Sequence, residues 1–402
     1  MKFSEVLGHE ATKEKISNLI GEGKLPHALL LLGPEGCGTL PVALAIAQSL
    51  VCEKRNGKSE PSLFGTPAMF AEPEVAKAPL NDACGECGAC HKAAKFIHPD
   101  IHFSFPTIRI DKKKDPVSKD WLKEWRTALS DNPYMGYTQW LPYLSAENKQ
   151  GNLTVEECHN IIQQLNLKTF EANFKVQIIW MAEFMGTYGN TLLKTLEEPP
   201  ENTVIILIVE NQELLLNTIL SRTQIIKFGA LEDEVLGNFL QTKFEMDTET
   251  ARRIARISDG NVNAALDYAN GSEQPAERQL QEWLSCCLRL SLPSHQADAS
   301  EKLSAWIEQM AKSGRENQKI FLKYFLWFLR EANQIRLGLA SEKLEGQELE
   351  FAKKLSGVLN QDGVEKMQRL ISELHYHIER NGNPKILFMA NSFALSKAMK
   401  TK

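Results

Sequence analysis

Residues 28–51, ALLLLGPEGCGTLPVALAIAQSLV, restrict the fold more than any other stretch. A run of apolar residues enters a glycine-rich turn and leaves it into a helix-forming run, the order of a strand, a loop and a crossover helix. Three more short β-rich runs follow at Val176–Met181, Thr203–Val209 and Gln224–Phe228, with helical patterns between them. Such alternation predicts a parallel sheet covered by helices. It ends near Phe228. Beyond that point only amphipathic helical patterns follow, EVLGNFLQTKF and IFLKYFLWFLREANQI among them, so the second half is expected to be all-helical.

Local signals sharpen the helices. Thr154 with Glu157 three residues later is a capping-box pattern ahead of EECHNIIQQLNL, and Pro199-Pro200 stops the helix that ends TLLKTLEE. Turn chemistry around Gly229 and the polar stretch NGSEQPAE, Asn270 to Glu277, mark boundaries and divide the chain into 1–228, 229–272 and 273–402. Two segments read as insertions. Lys54 to Pro79 is rich in Pro, Gly and Ser; Arg109 to Gly151 opens with DKKKD, which reads as a solvated loop.

At 402 residues there is room for two or three cores. A net charge of −5 argues against a protein that coats nucleic acid over its whole surface. No apolar run reaches the roughly 18 to 20 residues of a membrane span, and the N-terminus lacks a signal-peptide core, so a cytoplasmic protein with no membrane partner is expected.

The glycine turn nearly matches the phosphate-binding pattern GxxxxGK[ST], in which backbone amides face the phosphates, the Lys neutralises charge and the hydroxyl holds magnesium. Gly33 and Gly38 keep the spacing and Gly36 adds flexibility, but Thr39 stands at the Lys position and Leu40 at the hydroxyl position. Catalysis there is not expected. The strand VQIIWMAEFM should end in an Asp for magnesium and a Glu to polarise water. Trp180 and Met181 occupy those positions; Glu183 survives nearby but is not assumed to substitute, because metal ligation demands close placement. The remaining amides from Gly36 to Gly38 either still bind a phosphate or are plugged by side chains; the sequence leaves both open.

CGECGAC gives Cys84, Cys87 and Cys90 as two overlapping CxxC units, a spacing that lets thiolates converge on one zinc. Cys52, at the end of the helix after the loop, is the first choice for the fourth ligand and His91 the second. Four thiolates would make the site structural; a redox dithiol or an iron–sulfur cluster is the alternative. His98 and His102 belong with the segment that follows. Ser221 and Arg222 sit at a helix-to-strand junction, where an Arg is either a surface ion-pair residue or, in an oligomeric ATPase ring, a finger reaching a neighbour's γ-phosphate.

In order along the chain, FSEVLGHE, LPHALLLLGPEGCG, CGECGAC, HPDIH, NTLLKTLEEPPENTVIILIVEN and SRT make the first ~230 residues resemble the bacterial clamp-loader family of AAA+ proteins, and its delta-prime branch in particular. Thr223 departs from the family's Ser-Arg-Cys motif and leaves Arg222 available. The resemblance implies an α/β P-loop AAA+ domain over 1–228 carrying a zinc-binding insertion, a helical lid over 229–272 that includes DGNVNAALDY, and an all-α collar over 273–402 for oligomerisation. It implies a non-hydrolysing subunit of the DNA polymerase III clamp loader in a pentameric ring with gamma/tau and delta subunits. Through that complex it would help load the sliding clamp onto primer–template DNA, with Arg222 acting in trans on a neighbour's ATP. Two rival readings are an active gamma/tau-type motor ATPase, against which Thr39, Leu40, Trp180 and Met181 stand, and a zinc-dependent nucleic-acid binder acting alone.

Overall fold

The computed structural model describes residues 1–56, 82–109, 115–145, 151–270, 276–290, 296–339, 344, 346–380 and 382–399. Most of the first insertion, nearly all of the DKKKD run and the boundary residues 271–275 lie outside them. Two compact units emerge: Met1–Lys243 with Asp259–Asn263, and Phe244–Ser258 with Ala264–Lys402. The stretch 229–272 is thereby divided between the units.

In the first unit, strands β1 (Ala28–Leu32), β2 (Ile101–Ser104), β3 (Lys175–Trp180), β4 (Thr203–Val209) and β5 (Gln224–Lys227) form one sheet of order β2-β3-β4-β1-β5. Every pairing is parallel; Leu30 of the penultimate strand, for example, faces Leu207 on β4 and Ile225 on β5. The same unit holds α1 (Glu10–Gly21), α2 (Thr39–Val51), α3 (Gly88–Ala94), α4 (Leu122–Asp131), α5 (Tyr137–Trp140), α6 (Val155–Asn166), α7 (Leu193–Glu197), α8 (Asn217–Leu220) and α9 (Asp233–Phe244, whose last residue belongs to the second unit). Alternate residues of β1 enter two different cores. Leu29 and Leu31 pack with α2, while Ala28 and Leu30 pack with α6. Cover on both faces is why the strand reads as an unbroken apolar run rather than an alternating one.

Strand β2 is absent from the sequence reading above. It has four residues, two of them the polar His102 and Ser104, and it lies at the sheet edge, so neither length nor apolar content marks it. The capping box ahead of α6 forms by half. Thr154 Oγ1 accepts the Glu157 amide at 3.2 Å, as expected. The Glu157 carboxylate turns inward instead, taking the Ser104 hydroxyl at 2.5 Å and the Ser118 amide at 2.8 Å. These bonds tie the first turn of α6 to β2 and the second insertion rather than back to its own cap, and burial raises the pKa of the carboxyl that makes them.

The second unit holds α10 (Thr248–Ile257), α11 (Val262–Asn270, whose first two residues belong to the first unit), α12 (Ala276–Arg289), α13 (Gln296–Lys312), α14 (Arg315–Arg336), α15 (Gly346–Val358), α16 (Gln361–Glu379) and α17 (Pro384–Ala398). After β5 the described residues contain helices and no strand, as the periodicity predicted. Trp283 on α12 stacks on Trp306 of α13 with ring centroids 5.0 Å apart and meets Phe388 of α17 edge-on at 5.5 Å. Its indole N–H donates to Ser392 Oγ at 2.8 Å, so this large side chain is buried with its polar atom satisfied. No helix among the described residues is long and apolar enough to cross a membrane.

Candidate functional site

Gly33, Gly36, Gly38 and Thr39 lie together between β1 and α2. Gly38 caps α2 with φ 106°, a conformation that favours glycine. At Gly33 a Cβ would sit 2.6 Å from Cys37 Sγ and 2.9 Å from Phe228 Cβ, so no side chain fits there. The loop's carbonyls are already engaged: Gly36 O accepts the Val262 amide at 3.2 Å and Cys37 O lies 2.8 Å from His9 Nε2. Thr39 and Leu40 are both buried at the start of α2, so the position of the expected Lys supplies neither charge nor reach.

The second half of the pattern has become core. Trp180, 2% exposed, ends β3 with its ring 5.1 Å from Trp125 of α4. Trp125 stacks on Phe105 at 4.2 Å and meets Trp140 at 5.2 Å, and the Trp140 indole donates to Pro106 O at 2.7 Å. Aromatic pairs of this kind add about 0.5–1.5 kcal/mol beyond the burial of their area. Met181 is buried beside them with φ 55°. Glu183 is committed elsewhere: its Oε1 accepts the Glu210 amide at 2.9 Å, and burial raises its pKa. Glu210, at the end of β4, is pushed up to about 8 by burial first and then by the charges of Glu35 and Glu183.

The four cysteines named from spacing come together. Cys52 follows α2, Cys84 and Cys87 precede α3, and Cys90 lies within it. Their sulfurs all lie within 4.8 Å of one another. Cys84 Sγ and Cys90 Sγ are 3.8 Å apart, matching the edge of a tetrahedron with metal–sulfur bonds of about 2.3 Å. Backbone amides point at the sulfurs: Cys84 N donates to Cys52 Sγ, Cys87 N to Cys84 Sγ and Cys90 N to Cys87 Sγ, each at 3.4 Å. The Cys90 thiol and the neighbouring amides pull the Cys52 thiol well below its ordinary pKa, so a thiolate is favoured there. Gly85, at φ 77°, makes the tight turn between the first two ligands. The group can hold a metal ion and is compatible with structural zinc. His91 is exposed on α3 and is not part of it.

Ser221 and Arg222 follow α8 at the edge of the sheet. The Arg222 side chain is 31% exposed, and its Nε donates to Glu197 Oε1 at 2.6 Å. Its Nη1 donates to Thr218 O at 2.9 Å and Ser221 Oγ at 3.2 Å. Glu197 is the last residue of α7, in KTLEEPP, so the guanidinium is part of an ion pair and stays reachable from solvent. Sequence reading missed Glu197 as its partner, Tyr134 as a neighbour of the loop and Trp125 as a neighbour of Trp180. Nothing in the linear spacing signals any of the three.

A fully parallel sheet of order 2-3-4-1-5, with a glycine loop leaving β1 into a buried helix, makes a P-loop-like α/β domain. A family model described as "DNA polymerase III, delta subunit" matches residues 66–232. The chain is 25% identical to the DNA polymerase III subunit gamma of Buchnera aphidicola subsp. Acyrthosiphon pisum, over 66% of this chain and 57% of that protein. It is 26% identical to the DNA polymerase III subunit delta' of Bacillus subtilis, over 64% and 57%, and 22% identical to that of Escherichia coli K12, over 70% and 64%. The chain therefore matches less than two thirds of the length of each of these relatives. Each of these relatives carries the name of a DNA polymerase III subunit, gamma or delta'.

Proposed function

We propose that this chain is a non-catalytic, delta-prime-type subunit of the DNA polymerase III clamp loader, present in the cytoplasm. Its partners are gamma/tau and delta subunits in a pentameric ring, which loads the sliding clamp onto primer–template DNA. The observation that carries the reading is Trp180: a buried indole packed on Trp125 stands where a magnesium-binding Asp belongs, and Thr39 and Leu40 stand where the phosphate Lys and the magnesium hydroxyl belong. The chain keeps an arginine poised at the sheet edge. In this reading Arg222, steadied by Glu197 and flanked by Ser221, reaches the γ-phosphate of ATP held by a neighbouring subunit and stabilises the charge that develops as the phosphoryl group transfers. Zinc held by Cys52, Cys84, Cys87 and Cys90 is structural, since four thiolates leave no position open for water.

Reconstitution with gamma/tau and delta partners tests the assignment. The isolated chain is expected to turn over no ATP, and Arg222→Ala in the complex is expected to cut its ATPase rate by about 10³-fold or more. An unchanged rate in that complex would refute the finger role. Magnesium-dependent hydrolysis by the isolated chain would move it to the gamma/tau motor class, whose name some of its relatives carry.

A further inference from the structure

Apart from Trp125 packed on Trp180, the second insertion, residues 109–151, has no part in the function proposed for this chain, yet its described portion lies on the remnant nucleotide loop. Tyr134 is buried with its ring against Gly38, where a Cβ would lie 3.3 Å from Tyr134 Cε1. Its hydroxyl accepts the Leu7 amide at 2.8 Å. Two residues on, Gly136 lies so close under the Glu35 side chain that a Cβ there would meet Glu35 Cγ at 2.6 Å. Asn263, buried, fastens the same turn: its amide donates to Tyr134 O at 2.8 Å, and its Oδ1 accepts from Asn132 Nδ2 at 2.7 Å. The adjoining Val262 amide bonds the loop itself at Gly36 O. The insertion's helix α4 brings Trp125 onto Trp180 at the tip of β3.

We propose that residues 115–145 are a built-in occupant of the remnant nucleotide site. Tyr134 covers the loop and Trp125 covers the tip of β3, where a nucleoside triphosphate and its magnesium would have to lie, so the loop keeps its shape with no nucleotide and admits none. The inference deepens the non-catalytic reading and rests on it. Loss of the Lys and the Asp removes catalysis but leaves amides at a helix N-terminus that could still receive a phosphate; the insertion removes access to them. Charge acts in the same direction. Glu35 in the loop adds a negative charge where a phosphate site needs a positive one, and the buried Glu183 after β3 and the half-buried Glu210 after β4 supply no positive charge in its place.

Two measurements on the full chain test this. Titration of the wild type with a fluorescent ATP analogue and magnesium is expected to show no binding up to about 1 mM. Hydrogen exchange of the nucleotide-free wild type is expected to show slow amides over 36–42. Tyr134→Ala should speed exchange there about tenfold or more without changing residues 84–90. Tyr134→Phe, which keeps the ring and loses only the bond to Leu7, should remain close to wild type. Binding without hydrolysis by the wild type would overturn the occlusion and leave the non-catalytic reading standing. Hydrolysis would overturn both. Fast exchange over 36–42 in the wild type, or exchange unaltered in Tyr134→Ala, would overturn the insertion's role even if the variant proved unstable in other respects.

Discussion

Helix α2 joins two sites that differ in what they have kept. Its first turn starts at the glycine loop, where the backbone of a phosphate site survives and the side chains that did the chemistry do not. Its last turn runs into Cys52, where three other thiols converge within 4.8 Å and amides are aimed at the sulfurs. At the first site the vacated positions carry Thr39, Leu40, Trp180 and Met181, all buried and all packed. At the second, every ligand position is a donor. The contrast teaches that a binding site can pass into the core when large apolar side chains replace its polar ones, whereas a metal site cannot, since each missing ligand leaves the remaining thiolates crowded and unpaired.

The largest effect separating the two ends should come from the thiols. Cys90→Ser, or a strong chelator on the wild type, is expected to release one equivalent of zinc and to destabilise the first unit by several kcal/mol, since structural zinc contributes roughly 10 kcal/mol or more to small domains that depend on it. Metal content by elemental analysis together with thermal unfolding checks this. A protein that purifies with no metal and melts the same with or without chelator would break the comparison at its stronger end. His91→Ala should change neither quantity.

At the loop end the expected loss is smaller and comes from packing. Trp125 touches Phe105, Trp140 and Trp180, so Trp125→Ala should cost about 3–5 kcal/mol. Trp125→Phe should cost much less, because the Trp125 indole N–H is buried with no hydrogen-bond acceptor and its removal relieves an unmet donor. Equal losses in urea unfolding for the two variants would mean that the ring's polar atom, not its volume, is what the site uses.

How much of this was legible in the sequence follows the same division. β1 and β4 could be placed to the residue because strands covered on both faces show as unbroken apolar runs, and β3 and β5 to within one residue. The thiol site was legible because chelation constrains spacing: CGECGAC needs only one partner from elsewhere, and Cys52 is where the crossover helix ends. The missing Lys, hydroxyl and acids could be seen as departures from a pattern. What filled their places could not. Tyr134 and Gly136 lie about a hundred residues from the loop they cover, in a segment whose composition says only that it is an insertion. Glu157 illustrates the limit locally, because its spacing from Thr154 announced a cap while the tertiary fold claimed its carboxylate for Ser104 and Ser118. β2 escaped for a third reason: pairing with β3 makes it a strand, not its own four residues.

The smallest expected effect is also the one that tests whether carboxylates at the loop end are tolerated rather than used. Burial and the charges of Glu35 and Glu183 hold the Glu210 pKa near 8 in the folded chain, above its ordinary value of 4.5. A carboxyl with a raised folded pKa binds its proton more tightly in the folded state. Its contribution to stability is therefore full below about pH 4.5 and is lost as pH rises through 8. Glu183, raised in the same direction by burial, adds a term of the same sign. Glu210→Gln, which resembles the protonated acid, should melt like the wild type near pH 5 and be more stable than it by at least about 1 kcal/mol near pH 9. A difference that does not change between those two pH values would show that the acid is solvated in the folded chain and that the loop end is still wet. A difference that grows with pH would confirm that this end of α2 has been closed to charge, while at the other end four cysteines stand close enough together to hold a cation.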